Sequence, residues 1–124
     1  MAEKYESSSM VRDNLVIGSY QPKTMEVAIV NGGGALVRGT VLGQITTGGK
    51  YQKCAIGAID GSAVARCILA ADVDATLAEK KALAYVDGEF NENVLTFGTA
   101  TDAEDVREPL RSVGIVISAS VVTG

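Results

Sequence analysis

The sequence contains no histidine and no tryptophan, and only 5% of its 124 residues are aromatic. Histidine is the commonest general base in enzymes, the usual partner of serine and cysteine nucleophiles, and a frequent zinc ligand. Its absence excludes those catalytic and metal sites together. The chain would have to use carboxylates, lysine or tyrosine for catalysis, and we predict that it is not an enzyme and needs no cofactor.

Long basic runs and long apolar runs are also missing. The formal net charge is −4 and the longest basic run is Lys80-Lys81, whereas nucleic-acid binders cluster Lys and Arg on one face. The apolar stretch from Ile115 to Val122 is far shorter than the roughly 20 residues of a membrane span. The first residues, MAEKYESSSM, lack the apolar segment of a signal peptide. We therefore expect no direct nucleic-acid or membrane partner, and synthesis in a reducing cytoplasm.

Cysteine is scarce. Cys54 and Cys67 lie thirteen positions apart and outside any CxxC pair, so the sequence does not indicate a metal knuckle. Two neighbouring strands could bring them together as a disulfide, or both could be buried free thiols. The spacing leaves both arrangements open, and we favour the free thiols.

Glycine, in contrast, supplies seven of the twenty-one residues from Asn31 to Tyr51. A phosphate-binding loop reads G-x-x-x-x-G-K-[ST], but a frame that starts at Gly43 places Gly49 where the lysine is required. The dinucleotide pattern G-x-G-x-x-G fails as well, because Val37 stands at its last glycine. We expect these glycines to form the turns and bulges of a sheet.

Short apolar runs separated by glycine predict a mostly β (α+β) domain. Residues 25–30 alternate as a strand, and Ile115 to Val122 is predicted as the last strand. Asp60-Gly61 and Asp87-Gly88 are each flanked by apolar runs of strand length. Such dipeptides suit tight turns, so we expect two hairpins there.

One short helix is predicted near residues 102–112. Thr101 and Glu104 have the spacing of a capping box, and Gly114 is a natural stop. Pro109 is expected to kink or split the helix. The residues expected on the buried face are Val106, Leu110 and Val113.

The acidic residues indicate an alternative function. Asp72 and Asp74, two positions apart in a strand, would share a face, with Glu79 nearby, and such acids can hold a cation. A small metal- or ligand-binding β domain that uses Asp72, Asp74 and Glu92 is the alternative hypothesis, and a solvated turn is the other interpretation of the acids. Ser62 lies outside a G-x-S-x-G frame, so a serine hydrolase is not predicted.

Residues 1–14 are polar and serine-rich and show no hydrophobic period. We interpret them as a flexible N-terminal arm, because such a segment cannot bury enough apolar surface to fold alone. The β-rich domain is then expected to span residues 15–124.

Five segments follow one another at a distinctive spacing: GALVRGTVLG (34–43), GKY (49–51), IDGSAVARCILAADVDA (59–75), AYVDGEFNENVL (84–95) and LRSVGIVI (110–117). Together they resemble the bacteriophage lambda-type head decoration proteins, the capsid-stabilising protein D family. The resemblance covers roughly residues 23–118. A free-standing oligomeric adaptor is a third hypothesis for the same small domain.

The resemblance implies a structural protein of the virion. Such a protein is a homotrimer on the outer surface of the expanded head, at three-fold and quasi-three-fold positions. There it binds the major capsid protein and stabilises the shell against packaged DNA. It implies a compact β-tulip-like fold whose N-terminal arm becomes ordered on the shell. The apolar residues in and after the arm are our candidate capsid-binding residues: Tyr5, Val11, Leu15, Val16 and Ile17.

Overall fold

The computed structural model describes residues 15–17, 21–98 and 101–119. Within them the chain is mostly strands with one short helix, which confirms the predicted fold class. The strands are β1 Thr24–Ile29, β2 Gly34–Leu36, β3 Val41–Gln44, β4 Tyr51–Lys53, β5 Ala65–Leu69, β6 Val73–Ala75, β7 Lys80–Tyr85, β8 Gly88–Asn91 and β9 Ile115–Ser118. A 3-10 turn spans Glu92–Val94, and helix α1 spans Ala103–Ser112. Among the described residues, no helix is long and apolar enough to cross a membrane.

Five strands close into a barrel in the order β1-β4-β3-β5-β7. β1 and β7 pair antiparallel along their whole length, and β3 pairs antiparallel with β4 on one side and β5 on the other. β1 and β4 close the barrel in parallel at Ile29 and Tyr51. Two further two-stranded sheets, antiparallel β2–β6 and parallel β8–β9, complete the fold.

The first of two hydrophobic cores, the barrel core, comes from one face of the barrel strands and from β2 and β6. This face follows the period of two expected of a strand, as Val27 and Ile29 of β1 show. The buried members of the barrel core are Val27, Ile29, Leu36, Leu42, Cys67, Leu69, Ala75 and Ala84.

The second core, the helix-side core, lies between the opposite face of β3 and β5, helix α1, and strands β8 and β9. Its buried members are Leu15, Val41, Cys54, Ala65, Ile68, Phe90, Val106, Leu110, Ile115 and Ile117. A bulge helps to form this core. Leu42 pairs with Cys67 but Gly43 pairs with Ala65, so Arg66 is an extra residue in β5. Ala65 therefore belongs to the helix-side core, although Cys67 belongs to the barrel core.

Neither DG dipeptide forms a hairpin, so both hairpin predictions are wrong. Asp60-Gly61 lies between β4 and β5, but each of those strands pairs with β3 instead of with the other. Residues 55–59, predicted as a strand, form turns and bends. Asp87-Gly88 connects β7 to β8, which pairs with β9 in a separate sheet. Long-range contacts therefore decide which strands pair. They close the barrel and form the separate β8–β9 sheet.

Helix α1 begins one residue later than the capping box predicted. Asp102 is the N-cap: its carboxylate accepts from the N–H of Asp105 at 3.2 Å, and the carboxylate of Asp105 accepts from the N–H of Asp102 at 3.0 Å. The hydroxyl of Thr101 instead accepts from the N–H of Ile56 at 2.8 Å. A tertiary contact thus uses the hydroxyl that the sequence assigned to the cap.

The helix continues through Pro109 to Ser112, so it is not split. Pro109 lies near the C-terminal end, where it removes one intrahelical hydrogen bond, while Val106 and Leu110 hold the same face in the helix-side core. Gly114 follows the helix with φ of 96°, a left-handed conformation that favours glycine, which confirms it as the stop.

The revised cap is testable. We expect Asp102→Ala to lower the free energy of unfolding by about 1 kcal/mol, because the N–H of Asp105 loses its acceptor. Glu104→Ala, at the position favoured by the sequence alone, should cost less than about 0.5 kcal/mol, since Glu104 makes only an exposed ion pair with Arg107. Urea unfolding of both variants measures the difference. Equal losses would mean that Asp102 is not the cap.

Candidate functional site

The glycine-rich stretch forms turns between β2, β3 and β4, as expected from the failed phosphate-loop pattern. Gly39 has φ of 98° at the turn that follows β2, and β3 follows this turn where a phosphate loop would require a helix. Gly43 has a different reason to be glycine, because a Cβ there would collide with the backbone of Ser62. These glycines shape the barrel and the loop that crosses it.

The first pair of candidate acids accepts hydrogen bonds from backbone N–H groups. A carboxylate oxygen of Asp72 accepts from the N–H of Arg38 at 2.8 Å, and Asp74 accepts from the N–H of Thr76 at 3.0 Å. Hydrogen bonds from Thr76, first from its hydroxyl and then from its N–H, hold the pKa of Asp74 below its ordinary value. Asp72 thus ties the turn after β2 to the start of β6, and Asp74 stabilises the bend that follows β6.

The other two acids form ion pairs with different partners. Glu79 lies 2.7 Å from the ammonium of Lys50, and Glu92 lies 2.7 Å from the guanidinium of Arg107. Across the described ranges, no group of three or more Asp, Glu, Cys or His side chains could hold a metal ion. The structure does not bring Asp72, Asp74 and Glu92 into one site.

Both cysteines are buried and free, and they belong to different cores. Burial raises the pKa of the Cys54 thiol to about 11, with a smaller contribution from Asp105. Burial also raises the pKa of Cys67 to about 12. Thiols with such pKa values are almost wholly protonated at neutral pH, and they pack as small apolar side chains.

Residues 15–17 form a short segment along the outer edge of β8. Val16 lies opposite Phe90 in an antiparallel bridge, and the N–H of Asn91 donates to the carbonyl of Leu15 at 2.8 Å. β9 occupies the other edge of β8. Residues 15–17 therefore pair with β8 at the edge of this small sheet that β9 leaves open.

Three of the five candidate capsid-binding residues lie within the described residues. Tyr5 and Val11 lie outside the described residues. Leu15 is 1% exposed and belongs to the helix-side core, while Val16 is half-buried beside that core. The N–H of Ile17 donates to the carbonyl of Glu89 at 3.0 Å. Leu15 was chosen as a docking residue because it is apolar, but its side chain packs inside the body. A capsid contact by the five candidates remains a prediction.

Sequence reasoning missed the loop between β4 and β5, which a polar network fixes in place. The buried Ser62 donates from its hydroxyl and its N–H to one carboxylate oxygen of Asp60, at 2.6 and 3.0 Å. The side-chain amide of Gln52 donates to the other oxygen at 3.0 Å and to the Ser62 hydroxyl at 2.8 Å. These bonds, those from Ser62 first, lower the pKa of Asp60. A D-x-S spacing was the available signal, because Asp often accepts from the N–H two residues later.

The same loop carries three exposed apolar side chains. Ile59 is fully exposed, and Ile56 and Val64 are about half exposed, at 48% and 52%. The loop is nevertheless tied to the body, since the N–H of Thr46 donates to the carbonyl of Asp60 at 2.8 Å. A tethered loop with apolar side chains in solvent is suited to contact with another protein.

Comparison with known proteins gives one family match. A family model described as Bacteriophage lambda head decoration protein D matches residues 5–115. The matched range includes β1 to β8, helix α1 and two of the candidates outside the described residues, Tyr5 and Val11. A search of curated proteins finds no match.

The anchoring of residues 15–17 can be tested in the isolated protein. Leu15→Ala is expected to lower the free energy of unfolding by about 2–5 kcal/mol, because it leaves a cavity in the helix-side core. Val16→Ala, one residue along the same segment but half-buried, should cost less than half as much. Chemical unfolding followed by circular dichroism measures both, and a near-neutral Leu15→Ala would show that the segment is not part of the core.

The network around Asp60 predicts a pH dependence. The folded-state pKa of Asp60 is depressed, so its contribution to stability is present above the unfolded-state pKa and is lost as pH falls through the folded-state pKa. As the pH falls from above the unfolded-state pKa to below the folded-state pKa, we expect the melting temperature of Asp60→Asn to fall less than that of the wild type. Glu89→Gln, at an exposed position, is the control and should follow the wild type. If the melting temperature of Asp60→Asn falls with pH as steeply as that of the wild type, the Asp60 network does not contribute to stability in the way described.

Proposed function

The chain belongs to the bacteriophage lambda head decoration protein D family, and from this premise we propose that it binds the outer surface of the expanded phage head as a homotrimer. The trimer occupies three-fold and quasi-three-fold positions, contacts the major capsid protein, and stabilises the shell against packaged DNA. Its role is structural and not enzymatic, and its fold corresponds to the β-tulip of the family. The observation that carries this proposal is the family match over residues 5–115.

We further propose that residues 1–14 form a docking arm and residues 15–124 the body. The described segment 15–17 lies at the edge of β8, so the arm starts where the chain is already paired as a strand. Extended segments commonly bind by adding a strand to a partner sheet, with main-chain hydrogen bonds for affinity and alternate side chains for specificity. Tyr5 and Val11 would then supply apolar contacts to the capsid.

Three arms on one trimer would act together. Once one arm has bound, the other two are held near their sites at a high effective concentration, so modest contacts add to a high overall affinity. The ordering entropy of each arm is lost only on docking. This arrangement suits a protein that is added to an assembled shell and must then withstand internal pressure.

Removal of the arm tests the proposal. Deletion of residues 1–14 should leave the melting temperature of the body within a few degrees, because the buried Leu15 and the hydrogen bonds of residues 15–17 to β8 are retained. The same deletion should lower binding to expanded heads by about a hundredfold or more, since the main-chain contacts of the arm are lost. Co-sedimentation with expanded heads prepared without the protein measures occupancy.

Two controls accompany this experiment. A Tyr5→Ala, Val11→Ala double variant keeps the arm length and should weaken binding less than the deletion. Full-length protein on unexpanded shells should show little binding. Unchanged occupancy by the deletion variant would show that the arm is not the anchor, and failure of the full-length protein to bind expanded heads would overturn the decoration role.

A further inference from the structure

The glycine-rich stretch begins with Asn31-Gly32, which is the one Asn-Gly pair in the chain. The other asparagines, Asn14, Asn91 and Asn93, are followed by larger residues. Asparagine is among the thermolabile residues, because the backbone nitrogen of the next residue can attack its side-chain carbonyl carbon. Glycine has no Cβ to hinder that attack, and its backbone reaches the required conformation easily. The sequence thus makes Asn31 the most reactive asparagine of the unfolded chain.

Asn31 and Gly32 are both exposed in the turn between β1 and β2. Across this turn the N–H of Gly33 donates to the carbonyl of Val30 at 2.9 Å. Gly32 has φ of 88°, a left-handed conformation that favours glycine at the third position of a turn. Water therefore has access to the Asn31 side chain, and solvent access does not limit a reaction there.

The nitrogen that would attack is held by a backbone hydrogen bond. The N–H of Gly32 donates to the carbonyl of Ala75 at 2.8 Å, and Ala75 is fully buried in the barrel core. Ring closure requires this nitrogen to lose its proton and to turn towards the side chain of Asn31. Both changes need the hydrogen bond to break, so the folded turn opposes the reaction.

The sheet that supplies this hydrogen bond is small. β2 and β6 pair at three positions, and an isolated two-stranded sheet is only marginally stable. Short elements with few hydrogen bonds open locally at a lower free energy than the core of a domain. The bend after β6 is fixed by Asp74, whose carboxylate accepts from the N–H of Thr76 at 3.0 Å. The Gly32–Ala75 bond can therefore break while the barrel stays folded.

We propose that Asn31 is a deamidation site that the Gly32–Ala75 hydrogen bond protects, and that the reaction proceeds when the end of the β2–β6 sheet opens. The Gly32 nitrogen loses its proton to hydroxide and forms a bond to Cγ of Asn31. Cγ expels its amide nitrogen, which takes a proton from water and leaves as ammonia. Water then opens the resulting succinimide ring to aspartate or isoaspartate. Capsid binding plays no part in this reaction.

The products cannot rebuild the turn in its original form. Aspartate adds a negative charge to a chain whose net charge is already −4, and isoaspartate lengthens the main chain between Val30 and Gly32 by one atom. The spacing of this turn is constrained, because the N–H of Val30 donates to the carbonyl of Tyr51 at 3.0 Å where the barrel closes. Isoaspartate should therefore weaken the pairing of β2 with β6 and favour further opening.

Ageing of the full chain in buffer and in urea tests the site. Trypsin releases residues 24–38 as one peptide in which Asn31 is the only side-chain amide, so a gain in mass of that peptide reports deamidation there. The native protein should react at least about tenfold more slowly than the protein in urea. The peptides that contain Asn14, Asn91 and Asn93 are internal controls and should react more slowly than Asn31 in urea.

Hydrogen exchange of the Gly32 N–H, measured by NMR, gives an independent value for the opening. The ratio of the native rate of deamidation to the rate in urea should equal the open fraction of this N–H within a factor of about three. Agreement is expected because the same hydrogen bond must break for exchange and for attack on Asn31.

Two variants that each remove one carboxylate test the opening step. Asp74→Ala deprives the N–H of Thr76 of its acceptor beside Ala75, so the native rate should rise by about threefold to tenfold. Glu108→Ala, at an exposed position on α1, should leave the native rate unchanged. In urea both variants should react at the wild-type rate, because the folded contacts are lost. Melting curves check that both variants fold.

The outcomes separate the site from its protection. An unmodified 24–38 peptide after ageing in urea overturns Asn31 as the site. A native rate equal to the rate in urea overturns protection by the Gly32–Ala75 bond. A slow native rate that does not follow exchange of the Gly32 N–H, or that Asp74→Ala leaves unchanged, overturns opening of the sheet as the controlling step.

Discussion

Burial of strands β3 and β5 on both faces is the constraint on which the rest of the structure depends. Val41 and Leu42 are adjacent in β3 and both fully buried, one in the helix-side core and the other in the barrel core. Ile68 and Leu69 do the same in β5. A wall that is apolar on both sides must be covered on both sides. Barrel closure covers one face, and α1 with β8 and β9 covers the other.

The cover on the helix side also fixes the two regions that we connect with function. Leu15 fills part of the helix-side core, so the proposed arm joins the body at the edge of β8. Thr101, just ahead of α1, holds Ile56 of the loop between β4 and β5. The proposed arm and the loop between β4 and β5 are thus both tied to elements that cover one wall of the barrel. Decoration of a phage head, in this view, depends on a rigid domain that holds its contact surfaces in fixed positions.

Local patterns predicted much of the secondary structure. Alternation identified β1, and the spacing of Val106 and Leu110 identified the buried face of α1. The candidate site was harder to predict from the sequence. Leu15 was selected for its apolar character, but a local pattern cannot tell a side chain that docks on a partner from one that fills the core. The exposure of Ile59 was equally hidden, because residues 55–59 have the composition of a strand.

The sequence by itself determined that the domain is mostly β, that its glycines make turns, and that histidine chemistry is absent, because these follow from residue type and short-range period. Only the tertiary structure decided which strands pair. β4 and β5 are consecutive strands, yet both pair with β3, and β8 pairs with the distant β9. Asp102 replaced the expected cap because Thr101 bonds to Ile56. Long-range contacts settled these choices, since a backbone group takes whichever partner the closed barrel and its two cores bring within reach.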